Sequence, residues 1–271
     1  MIRDITIGQY LSGTSFMHKL DARVKIVCTF AYIITIFLCK NFWSLGLMVA
    51  FAALMTLLSR VPVRMLLRSL RPVAFILLFT AVLNLFYTKT GSVLFQWKFL
   101  MLTDKGLYTA VFMAVRILSL VSVSALLTYT TTPTALTDGI EKLLSPLKLI
   151  KVPVHSLAMM MTLALRFIPT LIEEIDRIMS AQKARGADLE TGGFIQRAKA
   201  LLPVLIPLFV SAFRRAYELA FAMECRCYRG GEGRTRMKQM KLGVRDAVTA
   251  VFFVLLIAGV VLLGRFFPAV I

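Results

Sequence analysis

Residues 152–186 read VPVHSLAMMMTLALRFIPTLIEEIDRIMSAQKARG. No residue between Val154 and Ala184 forces an end, so the spacing predicts one helix roughly 45 Å long at 1.5 Å per residue. Its first half, His155 to Ile172, is apolar nearly all round and holds three consecutive methionines, 159–161. Its second half, Glu173 to Arg185, is amphipathic, with Glu173 and Arg177 four apart as a helix-supporting pair. Pro169 is expected to kink it, and Gly186 to end it as a left-handed cap. A stretch so apolar cannot stand alone in water, and this reading decides the class of the whole chain.

Downstream the design recurs. Phe194 follows Gly192-Gly193, an apolar run carries Pro203 and Pro207, and Arg214, Arg215, Glu218 and Glu224 follow. The segment closes on Cys225-Arg226-Cys227, ahead of Gly230-Gly231. Both segments run from apolar through Pro to amphipathic, then a terminal Arg and Gly. Upstream, Thr132-Pro133 is an N-cap followed by Pro at the first helical position. It opens a short helix to about Leu144, which Pro146 stops. Another start follows Lys151.

Five further stretches are apolar enough to cross a bilayer, which takes roughly 20 residues: about Val24–Cys39, Asn41–Ser59, Pro72–Tyr87, Gly106–Thr130 and Val244–Gly264. No signal-peptide pattern precedes the first. The composition agrees: of 271 residues 58% are hydrophobic and 17% charged, with mean hydropathy +0.78, against roughly 45–50% and about 25% for soluble domains. The expectation is an all-α polytopic membrane protein with about five transmembrane helices. The net charge of +18 would fit nucleic acid, but its distribution follows membrane insertion. Arg3, Lys19, Arg23 and Lys25 precede the first span, Arg60, Arg64, Arg68 and Arg71 follow the second, and residues 131–243 carry seventeen Lys and Arg. By the positive-inside rule the N-terminus is cytoplasmic and the C-terminus outside. The chain then divides into 1–130, a cytoplasmic region 131–243 and a last span in 244–271. Trp97, Phe95 and Phe99, in the loop between the third and fourth spans, are expected at the outer headgroup level. The two long helices of the cytoplasmic region either span or lie at the cytoplasmic face. Their prolines and charged halves favour lying, since an arginine among lipid costs about 3 kcal/mol.

Catalytic chemistry is sparse. The spans are read as containing no Asp or Glu, which counts against a proton-coupled carrier. Arg116 is the clear intramembrane charge, and a partner, backbone carbonyls or snorkelling would each account for it. Gly230-Gly-Glu-Gly-Arg234 follows a helix, where a phosphate loop follows a strand. Cys225 and Cys227 lack the further ligands of a closed metal site. Two His, His18 and His155, support no nucleophilic constellation. The expectation is no catalytic residue, no cofactor and no metal.

An ordered set of motifs resembles the transmembrane coupling subunit, the T component, of energy-coupling factor transporters. The set comprises His18-Lys-Leu-Asp-Ala-Arg-Val-Lys25, Thr131-Thr-Pro-Thr-Ala-Leu-Thr-Asp-Gly-Ile-Glu141, Val152-Pro-Val-His155, Leu165-Arg-Phe-Ile-Pro-Thr170, Ala181-Gln-Lys-Ala-Arg-Gly186, Leu205-Ile-Pro-Leu-Phe-Val-Ser-Ala-Phe-Arg214 and Tyr228-Arg-Gly-Gly-Glu-Gly-Arg234. The resemblance implies long coupling helices at the cytoplasmic face of a prokaryotic cell membrane. It implies two ABC-type ATPase partners docked on Ala184-Arg185-Gly186 and Cys225-Arg226-Cys227. It also implies a small membrane substrate-binding (S) component, one or several interchangeable, that captures a vitamin or metal ion. The second motif departs from the family's Ala-Arg-Gly by its two cysteines, which puts a need for Gly there in doubt. Apolar halves of the long helices, with Leu157, Met160, Leu163, Leu202 and Leu205, are the expected platform for the S component, because exposed apolar area marks an interaction surface. The alternative is a stand-alone membrane enzyme or channel with an amphipathic cytoplasmic insert.

Overall fold

The structure is a computed structural model that describes residues 10–87, 93–97, 100–187, 193–230 and 240–266. Its helices are α1 Ala22–Leu38, α2 Phe42–Ser59, α3 Val63–Tyr87, α4 Asp104–Thr130, α5 Pro133–Leu143, α6 Val154–Ala184, α7 Phe194–Cys225 and α8 Val244–Phe266, with a 3-10 turn at Ser145–Ile150. Six of them, α2, α3, α4, α6, α7 and α8, are long and apolar enough to cross a membrane. The chain is an all-α polytopic membrane protein. Its one departure among the described residues is an antiparallel hairpin, β1 Val93–Trp97 and β2 Leu100–Thr103, in what the sequence reads as a plain loop between the third and fourth spans. The side chains expected there at the headgroup level, Phe95, Trp97 and Phe99, lie outside the described residues, as do residues 231–234 of the Gly-rich stretch.

Described residues of 8–143 and 239–271 form one compact unit, and those of 144–238 another. In the first, α1, α2, α4 and α8 share a core in which Tyr32, Ile36, Met48, Phe112, Leu126 and Phe253 are buried. α5 packs on α1, so residues 133–143 fall in the same compact unit as α1. The approach is close: a Cβ on Gly139 would stand 3.0 Å from Ile26 Cδ1. α3 packs chiefly on α4 and begins nine residues before the span expected from hydropathy, because Arg64, Arg68 and Arg71 are helical. Lys and Arg are good helix formers, and hydropathy alone does not see a helix running past the bilayer edge.

Four polar or charged side chains of this unit serve the backbone ends of helices packed against them. The Arg116 guanidinium donates to the Cys39 carbonyl at 2.6 Å and lies over the Phe112 ring at 4.8 Å. Of the three accounts of Arg116, a backbone carbonyl is the one observed. Asn41 Nδ2 donates to the Leu263 carbonyl at 3.2 Å. Lys25 Nζ donates to the Thr130 carbonyl at 2.9 Å and to Thr131 Oγ1 at 3.2 Å. Asp246, in the first turn of α8, is buried and accepts the Asp21 amide through Oδ1 and the Gly243 amide through Oδ2, both at 2.8 Å. The reading of carboxylate-free spans passed over this acid. Asp21 caps α1 by accepting the Arg23 amide at 2.9 Å and pairs with the Arg23 guanidinium at 2.8 Å. Burial works to raise the Asp21 carboxyl, but the Arg23 hydrogen bonds and the nearby positive charges hold it below its ordinary value.

Asp246→Ala removes the acceptor of two backbone amides, each costing roughly 1–3 kcal/mol when left unpaired in a buried site. A fall in the thermal midpoint of the purified chain in detergent, larger than for Asp246→Asn, is expected. Because the Asp21 carboxyl is depressed on folding, its contribution is full above its unfolded pKa of about 3.9 and is lost as pH falls through the lower folded value. The wild type should therefore lose more stability than Asp21→Asn when the pH is lowered from 5 toward about 3.

Candidate functional site

α6 and α7, of 31 and 32 residues, pack on each other in the second unit. Arg215 of α7 donates to Glu174 of α6 at 2.8 Å, and Tyr228, just past α7, donates its hydroxyl to Met159 Sδ at 2.9 Å. Partner positions advance on one helix as they retreat on the other, so the pair is antiparallel. The helix ends at Arg185 and Arg226 therefore lie at opposite ends of the pair, separated by about 35 Å at 1.5 Å per residue.

Both ends close in the same way. After α6, the Gly186 amide donates to the Lys183 carbonyl and the Ala187 amide to the Gln182 carbonyl, each at 3.0 Å. After α7, the Cys227 amide donates to Glu224 at 2.8 Å and the Tyr228 amide to Met223 at 3.0 Å. These are the two reversed bonds of a Schellman motif. The residue that must turn left-handed is Gly186 (φ 83°) in one and Cys227 (φ 54°) in the other. Arg185 and Arg226 occupy the equivalent cap positions, with φ/ψ of −84°/5° and −92°/15°. Ala184, Arg185, Gly186, Cys225, Arg226 and Cys227 are all exposed. The cysteine that breaks the tripeptide pattern thus adopts the conformation the glycine adopts, at a local cost of roughly 1–2 kcal/mol for an L residue. Among the described residues no group of three or more His, Cys, Asp or Glu is placed to hold a metal.

Of the expected platform residues, Leu157, Met160, Leu202 and Leu205 are exposed and Leu163 is half-buried. On α7, Leu202 and Leu205 continue into a row the sequence reading missed: Phe209, Phe213, Tyr217 and Phe221, all exposed. Spacing of four puts them on one face, opposite the buried Val204 and the paired Arg215. The signal was in the sequence, as four aromatics at intervals of four.

Residues 13–237 match the family described as CbiQ, cobalt transport protein. The energy-coupling factor transporter transmembrane protein EcfT of Ruminiclostridium cellulolyticum is 53% identical over 98% of this chain and 100% of its own length. The protein of the same name from Clostridium kluyveri is 54% identical over 95% of this chain and 96% of its own. That of Bacillus subtilis is 45% identical over 95% and 97%. The chain belongs to this family. It is a T component of an energy-coupling factor transporter, a multi-pass membrane protein of a transport system.

The shared turn is testable without partners. Gly186→Ala forces an L residue to φ 83° and should lower the thermal midpoint by an amount corresponding to roughly 1 kcal/mol. Cys227→Gly should leave it unchanged or raise it, because the strained position gains the residue that tolerates it.

Proposed function

We propose that the T component couples ATP hydrolysis in two ABC-type ATPase chains to a separate S component that takes up a vitamin or metal ion. It would itself be non-catalytic, with residues 131–243 as the coupling region. The observation that carries this is the pair of matching tips: one exposed cap arginine, one left-handed turn, twice, at opposite ends of an antiparallel pair. Two equivalent partner grooves side by side call for such an arrangement. A solvated helix end accounts for a basic cap through the helix dipole at about 0.3–1 kcal/mol, and the turn is a common helix stop; what favours docking is an exposed arginine at the same cap position at both ends. Arginine adds a planar five-donor fork suited to a carboxylate.

The geometry also bears on topology. If α6 and α7 crossed the bilayer, an antiparallel pair would put Arg185 and Arg226 on opposite sides of the membrane, although each meets the length and hydropathy of a span. Lying along the cytoplasmic face, both tips reach the same compartment. We therefore read α1, α2, α3, α4 and α8 as the spans, with the N-terminus cytoplasmic and the C-terminus outside a prokaryotic cell membrane. The exposed apolar face carrying Leu157, Met160, Leu202, Leu205 and the α7 aromatic row is left for the S component. No observation favours a stand-alone enzyme or channel.

A charged hydrogen bond is worth roughly 1.5–3 kcal/mol. Arg185→Ala or Arg226→Ala should weaken recovery of ATPase chains in a pull-down or uncouple hydrolysis from transport in liposomes. The double variant should do worse, and Arg→Lys should rescue only in part. A double Ala variant that assembles and transports at the wild-type rate would sink the docking role. Met160→Asp should lower S-component capture while ATPase recovery stays near wild type; unchanged capture removes the platform.

A further inference from the structure

α3 has two faces, and only one is used. Leu66 is buried, and Ser69, Val73, Leu77, Thr80 and Asn84 are half-buried; the Tyr129 hydroxyl of α4 donates to the Met65 carbonyl at 3.2 Å and pins the first turn. Diametrically opposite runs a second row at the same three- and four-residue spacing: Arg64, Arg68, Arg71, Phe75, Leu78 and Val82, all exposed. Phe75 is 77% exposed and Leu78 64%. The row is cationic for its first two turns and apolar after that.

None of the three arginines makes an ion pair or a side-chain hydrogen bond among the described residues. Nor does the sequence hold a counter-ion near them, since no Asp or Glu occurs between Asp21 and Asp104. From Arg71 to Val82 the apolar part of the row measures about 16 Å, close to half of a hydrocarbon core of about 30 Å. A helix packed on one side inside a bilayer turns its other side to lipid, and long cationic side chains at its end reach the phosphates.

We propose that this face of α3 is a binding site for an anionic phospholipid. The headgroup phosphate sits among Arg64, Arg68 and Arg71, and an acyl chain lies along Phe75, Leu78 and Val82. Three cations with no acid of their own suit a net-negative headgroup and give no preference for a zwitterionic one, whose own ammonium they repel. An acidic protein surface would meet the arginines but not the apolar continuation of the same row, which the bilayer does meet. The assignment to the cytoplasmic leaflet rests on the topology proposed above; the headgroup chemistry does not.

The test uses the purified full chain alone, in mixed micelles of equimolar phosphatidylglycerol and phosphatidylcholine, with retained lipid counted by native mass spectrometry. The wild type should retain phosphatidylglycerol in excess. That preference should fall about fivefold for each of Arg64→Gln, Arg68→Gln and Arg71→Gln, from a surface contribution near 1 kcal/mol per cation, and vanish in the triple variant. The triple Lys variant should keep most of it. All three sites are exposed, so helicity and thermal midpoint should hold. No preference in the wild type, or an unchanged preference in the triple Gln variant, overturns the proposal. So does an equal loss from Lys40→Gln, Lys105→Gln and Arg265→Gln combined, which would make the effect one of net charge. If the triple Gln variant keeps its lipid preference but loses ATPase chains in a pull-down, the row is a protein contact. Because the lipid readout needs no partner, its failure leaves the coupling role standing.

Discussion

The buried carboxylate of Asp246 holds two backbone amides at once, that of Asp21 ahead of α1 and that of Gly243 ahead of α8. It is one case of the constraint on which the membrane unit depends. Helix ends that fall inside the fold have backbone groups without intrahelical partners, and lipid supplies none. Several such ends are served by side chains from elsewhere in the fold. Arg116 of α4 takes the carbonyl that ends α1, Lys25 of α1 takes the carbonyl that ends α4, and Asn41 ahead of α2 takes one near the end of α8. Arg116, Lys25, Asn41 and Asp246 therefore cross-link helix termini around an apolar core.

The second unit follows a different rule. Among the described residues its two long helices bury Val154 and Ala158 on α6 and Val204 on α7, and their pairing includes the Arg215–Glu174 bridge. A partly exposed bridge of this kind contributes little, roughly 0–1 kcal/mol, so it orients the pair more than it stabilises it. What the pair conserves is the form of its ends. Cys227 accepts a left-handed backbone that Gly186 adopts freely, so the backbone turn is the same at both. The α7 face along Leu205, Phe209, Phe213, Tyr217 and Phe221 is 41–74% exposed.

Much of this was legible in the residues. The Thr132-Pro133 start, the Gly193 boundary and the Gly186 stop mark α5, α7 and α6 through local chemistry: a side-chain cap, a proline at the first turn, a residue free to turn left-handed. The beginning of α3 was not legible, because Arg64, Arg68 and Arg71 fit a helix and a basic loop equally well when only hydropathy is read. Neither was the role of Asp246, since a single acid at the edge of a span looks the same whether it faces water or two buried amides.

The sequence by itself determined that the chain is helical, that it belongs in a membrane, where α5, α6 and α7 begin or stop, and which arginines follow the two long helices. Those properties follow from residue composition, periodicity and interactions within a few positions of the chain. Only the tertiary structure decided that α6 and α7 run antiparallel, so that two similar tripeptides become two tips facing opposite ways, and that α3 turns its arginines directly away from the face it packs. Both outcomes depend on which side of one helix meets another, a contact between residues distant in sequence that no local pattern encodes.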